Sequence, residues 1–143
     1  MNTVITHNEM SQWGFPYLHD LRPTIVAFER DKFVLSFDEK ALECSEYAGK
    51  KRLTITMCVP LDEDGDSSSC VFEMKTRRFF IKYYMKAIAI SLEEFVDKVN
   101  TKPGLLRIHS GNWGVTSASF RFFYGNVTYD LEITTTSVSF DWE

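Results

Sequence analysis

Asp62, Asp64 and Asp66 sit at alternate positions of the stretch "VPLDEDGDSSSC", and Glu73 follows. Counted from Asp62, they occupy the first, third, fifth and twelfth places of a calcium-binding loop. Such a loop supplies about six to eight oxygens to a hard cation. The pattern then breaks where geometry matters. Its sixth place is Ser67 rather than the glycine that makes the sharp turn, and the glycine present is Gly65. The eighth is Ser69, where an apolar residue is usual. Both flanks read as strands, which puts Glu73 inside one of them. The expectation is therefore a hydrated loop without metal or cofactor, presenting Asp62, Glu63, Asp64 and Asp66 as a contact for a basic partner.

A second stretch, "KTRRFFIKYYMK" (75–86), alternates five basic with four aromatic residues and holds no acid. On one sheet face such side chains could stack on bases and reach phosphates. The run lacks the glycines of an RNA-recognition signature, and its apolar half alternates as a core strand would. A net charge of −4 also counts against a free-standing nucleic-acid binder. The plainer reading is a central strand with solvated cations on its outer side.

Catalytic signals are sparse. His7, His19 and His109 lie far apart, and Cys44, Cys58 and Cys70 form no CxxC pair. Nothing orders them as nucleophile and base, and the chain has no GxSxG, HExxH, P-loop or GxGxxG. An enzyme is not expected. The alternative kept in view is a small-ligand-binding or enzymatic α+β cone, with a pocket lined by His19 or His109.

The elements that must carry these residues are mostly strands. An aromatic content of 15% suits pleated, half-buried surfaces. In "TIVAFERDKFVLSF" the apolar positions switch from even (Thr24, Val26, Phe28) to odd (Phe33, Leu35, Phe37), so a turn falls across "ERDK". Residues 38–49 read as a short helix or a loop. "RLTITMCV" puts Leu53, Ile55, Met57 and Val59 on one face. An in-register hairpin with the next strand would set Val59 opposite Cys70, and 77–90 would continue as a long or bent strand. "ISLEEFVDKVN" is a helix near 92–100. Ser91 caps it with Glu94 three residues on, Ile90 and Phe95 stand at staple positions, and Leu92, Phe95, Val96 and Val99 make its stripe. "LLRIH" is a short strand and "SGNWG" a turn. Gly125-Asn126 then closes a hairpin that pairs Tyr124 with Val127, Phe122 with Tyr129, Phe120 with Leu131, and Arg121 with Asp130. "SVSFDW" is a last strand. Residues 1–23 read as a short helix or an irregular lead-in.

These elements predict an α+β fold, with an antiparallel meander, possibly curved or partly closed, packed on one main helix. A length of 143 residues suits one domain, 1–143. The N-terminus lacks a secretory signal pattern and no apolar run spans a membrane, so a cytoplasmic protein without membrane or nucleic-acid partners is expected.

In size, acidity and strand layout the whole chain resembles the immunity proteins of bacterial contact-dependent growth inhibition and other polymorphic toxin systems. That resemblance implies a non-enzymatic inhibitor that binds a cognate toxin, often a nuclease, and covers its basic surface or active site. On this expectation Asp62, Glu63, Asp64 and Asp66 steer the encounter.

Overall fold

The computed structural model describes residues 17–114 and 116–143, and the backbone of 2–6. It is α+β: among the described residues there are two antiparallel sheets, not closed, and two α-helices. The first sheet runs β1 (Asn2–Thr6), β10 (Ser137–Trp142), β4 (Arg52–Cys58), β3 (Lys32–Asp38), β2 (Ile25–Glu29). The second runs β6 (Lys82–Ile90), β5 (Cys70–Phe79), β9 (Val127–Thr134), β8 (Ser117–Tyr124), β7 (Leu106–Trp113). In sequence α1 (Glu39–Leu42) lies between β3 and β4 of the first sheet, and α2 (Leu92–Val99) between β6 and β7 of the second.

In the first sheet the predicted faces are the buried ones. Phe33 pairs with Met57, Leu35 with Ile55 and Phe37 with Leu53, and all six side chains are fully buried. The parity switch is made by a two-residue turn after Glu29, where Arg30 takes a positive φ of 56°. On the far side of β4, Val138 and Phe140 of β10 extend the same face.

The second sheet holds the predicted hairpin in its predicted register, with Phe120, Phe122, Tyr129 and Leu131 buried on one face. Gly125 opens its turn at φ 59°, the left-handed geometry that a type II′ turn needs at that place. Ser91 caps α2 by accepting the Glu94 N–H at 3.0 Å. Phe95 is wholly buried, with its ring 5.5 Å from Phe122 and 5.1 Å from Tyr129. Asn100, at the helix end, donates to the Val26 carbonyl at 2.9 Å, so α2 ties the edge of the first sheet to the face of the second. Buried residues of both sheets and α2 form one hydrophobic cluster.

Four local expectations are corrected. β4 and β5 do not pair, so Val59 does not face Cys70. Both edges of β4 are taken, by β3 and β10, and β5 pairs with β6 and β9 in the other sheet. The segment 59–69 is therefore a crossover between sheets, not a hairpin loop. Residues 77–90 are not one strand either. The chain reverses at Phe80-Ile81, and Phe80 adopts φ 55° with no glycine or asparagine to mark the turn. "SGNWG" is not a turn, because β7 runs on to Trp113 after a register shift at His109, between Ile108 and Ser110. Residues 2–6 form a strand on β10; the rest of the expected N-terminal helix or lead-in, through residue 16, lies outside the described residues, as does His7. Residues 38–49 hold one short turn of helix, with Asp38 accepting the Ala41 N–H at 2.8 Å.

Candidate functional site

The acidic crossover is held by its own backbone. A bridge joins Leu61 to Ser67, the Asp62 N–H donates to the Asp66 carbonyl at 2.8 Å, and the Gly65 N–H donates to the Asp62 carbonyl at 3.0 Å. Asp62 Oδ1 accepts from the Asp64 and Asp66 N–H groups, both at 2.9 Å. A carboxylate bonded back to nearby backbone is a common way to close a turn. Asp62 thus holds the loop, while Glu63, Asp64 and Asp66 stand exposed on it. Among the described residues none of these three is ion-paired. The exit of the loop is tied to β9, where Ser68 bonds Thr134 Oγ1 at 3.0 Å and Ser69 Oγ accepts the Thr134 N–H at 3.1 Å.

Glu73 is in β5, as its place in the sequence predicts, and it belongs to another cluster. It is 3% exposed. Oε2 accepts from Lys98 Nζ and from Tyr129 Oη, each at 2.8 Å, and Lys75 Nζ lies 3.1 Å from Oε1. Burial alone would raise its pKa. The bonds from Lys98, Tyr129 and Lys75 outweigh that and hold it down at about 2. The Tyr129 phenol is pushed up in return, by burial first and then by the neighbouring carboxylate. This satisfied ion cluster pins α2 to β5. Among the described residues no group of three or more His, Cys, Asp or Glu is placed to hold a metal ion.

His19 and His109 come together although ninety positions separate them. The segment before β2 is laced to β7 by the Asp20 N–H to the Ile108 carbonyl at 2.8 Å and the Ile108 N–H to the Leu21 carbonyl at 2.9 Å. The two imidazoles are 5.3 Å apart, and His109 stacks on Phe123 at 4.6 Å. Asp20 lies 2.9 Å from His19 Nδ1 and takes a bond from Arg107 at 2.8 Å. The cluster is an open surface stack, with Asp20 and Arg107 compensating each other. A trough of about 490 Å³ on the outer face of the second sheet is lined by Phe72, Asn112, Asp130 and Glu132 among others, and by neither histidine. Arg121 and Asp130 make their predicted pair there, bidentate at 2.7 and 2.8 Å.

The basic-aromatic run has the most unusual surroundings. Lys75 is the last residue of β5 paired to β9, so the hairpin beyond it stands as a free two-stranded arm. Among the described residues, eight of the twelve exposed large hydrophobics lie on β5, β6 or their turn: Phe72, Phe79, Phe80, Ile81, Tyr83, Tyr84, Met85 and Ile88. At the tip, Phe80 is 79% and Ile81 85% exposed. The run is not the central strand that its alternation suggested. Its apolar residues are bare because, among the described residues, no third strand or helix reaches them, an outcome invisible in a local pattern. The available signal was density: no other stretch interleaves so many cations and rings.

Compared with protein-family models, with curated proteins and with solved structures, the chain gives no match. No helix among the described residues is long and apolar enough to cross a membrane.

Proposed function

We propose that this chain is a non-enzymatic binding protein whose partner is another protein, and that it serves as a cytoplasmic immunity protein neutralising a cognate toxin domain. The observation that carries this reading is the acidic crossover. It is a preformed turn, held by Asp62, that presents Glu63, Asp64 and Asp66 with no ion-paired cation among the described residues. A nuclease must be locally positive to hold phosphate, so this surface complements it and speeds encounter. Rigidity matters as well, because a loop already ordered loses little entropy on docking. The resemblance in size, charge and strand content to immunity proteins names the class of partner.

The test is co-purification with, and protection against, the toxin domain encoded immediately upstream. Tight binding and neutralisation are expected, and failure of both refutes the reading. Charge reversal at Glu63, Asp64 and Asp66 should slow association and flatten its salt dependence. Asp62 is left intact in that variant, since its loss would unlatch the turn. Unchanged association kinetics would remove the loop from the interface.

A further inference from the structure

The toxin reading leaves the β5–β6 arm unused. Stretch 75–86 carries five of the 16 lysines and arginines and none of the 20 acids, which leaves 11 basic against 20 acidic residues elsewhere. The molecule is thus a basic arm on an acidic body. From Thr76 to Phe80 the arm stands out by about 15 Å at roughly 3.3 Å per residue.

The distribution of side chains around this arm decides what it can meet. Cross-strand partners share a face, so Arg78 and Tyr83 lie on one side and Arg77 and Tyr84 on the other. On the first side the Arg78 guanidinium sits over the Tyr83 ring at 5.8 Å, and its Nε donates to the Phe80 carbonyl at 2.6 Å. The first face thus carries Arg78 with Tyr83 and Met85, and the second carries Lys75, Arg77, Lys82 and Lys86 with Phe79 and Tyr84, so exposed apolar side chains and at least one cation lie on both. Phe79, Phe80 and Ile81 close the tip, with Phe79 and Phe80 packed edge to face at 4.7 Å. An arm that docked by one face, on a nucleic-acid groove or a protein, would leave the other face polar. An arm that enters a medium tip-first is surrounded on all sides, and exposed apolar side chains then lie on both faces, as Tyr83 and Met85 do on one and Phe79 and Tyr84 on the other. Strand addition by a second copy is opposed by Lys82 and Lys86 on the open edge of β6 and by the like charge of the two arms.

We propose that the β5–β6 arm inserts tip-first into the headgroup region of an anionic lipid surface. Phe80 and Ile81 enter the acyl boundary, which interfacial apolar residues penetrate by about 5–10 Å. Tyr83 and Tyr84 sit at headgroup level, where amphipathic rings are favoured. Arg77, Arg78 and Lys82 meet lipid phosphates, their stems lying along the arm. Lys75 and Lys86 follow behind. With the tip about 5–10 Å deep, the rest of the arm still holds the acidic body off the negative surface, by a distance comparable to the ~8 Å screening length of physiological salt.

The experiment is flotation of the full chain with vesicles of phosphatidylcholine alone and with vesicles that also contain phosphatidylserine. Binding to the second and little to the first is expected, weakening as salt rises. Ile81→Asp should cut binding by at least about tenfold, the loss of one buried aliphatic side chain. Arg77→Ala and Lys82→Ala should each cost roughly fivefold. All three positions are exposed, and unchanged circular dichroism shows that the variants fold. No binding to anionic vesicles overturns the proposal, as does full binding by Ile81→Asp. It is equally overturned if an oligonucleotide is bound in place of vesicles, or if Ile81→Asp abolishes a concentration-dependent dimer in sedimentation while vesicles are ignored. Reversal of Glu63, Asp64 and Asp66 should leave vesicle binding intact, so this proposal and the toxin reading fail separately.

Discussion

Replacing Glu73 by glutamine tests the cluster that pins α2 to β5. The carboxyl titrates at about 2 in the folded chain against an ordinary 4.5. At about 1.4 kcal/mol per tenfold change in proton affinity, that difference sets a ceiling of about 3 kcal/mol. Lys75 and Lys98 are 40% and 42% exposed, so solvent screens part of their attraction. A loss of about 2 kcal/mol at neutral pH is expected for Glu73→Gln. Because the folded-state value is the lower one, this stabilisation is present above pH 4.5 and is lost as pH falls through about 2. Urea unfolding of both proteins across that range is the assay. The gap should be about 2 kcal/mol near pH 7, fall to roughly half by pH 3, and nearly close by pH 2. A gap below ~0.5 kcal/mol at neutral pH, or one equal at pH 7 and pH 3, would refute the electrostatic argument.

Three further outcomes follow from named contacts. Phe80→Gly should stabilise the chain by up to about 1 kcal/mol, since a bulky residue holds φ 55° there, and thermal melting reads the gain. Asp62→Ala removes the acceptor of the Asp64 and Asp66 amides. Hydrogen exchange at those two amides should accelerate while β4 and β5 keep their protection, and uniform acceleration would mean that the loop supports the whole fold. Phe95→Ala empties a fully buried site between Phe122 and Tyr129 and should cost about 3–5 kcal/mol in denaturant unfolding.

The legible parts of this protein are those whose cause is local. Side chains alternate along a strand with a period of two, so the buried faces of β3, β4, β8, β9 and β10 stand in the order of the residues themselves. The Ser91 cap and the apolar stripe of α2 lie within a few residues of each other, as do Gly125-Asn126 and the strands that it joins. The Arg121–Asp130 pair follows from that one turn. The loop acids could likewise be read as exposed, and Glu73 as a strand residue.

What the tertiary structure decided is which strand lies beside which. Periodicity selects a face and is silent about the neighbour, so the pairing of β4 with β10 instead of β5 depended on packing from the far end of the chain. That choice turned the acidic loop into a crossover. It left Glu73 facing Lys98 and Tyr129, and brought His19 beside His109. The arm has the same origin. Its alternating apolar residues carry a core strand's signature, and they are bare because β9 stops pairing at Val127, opposite Lys75. Burial is a property of what arrives to cover a residue, and nothing in "RRFFIKYYM" states that nothing arrives.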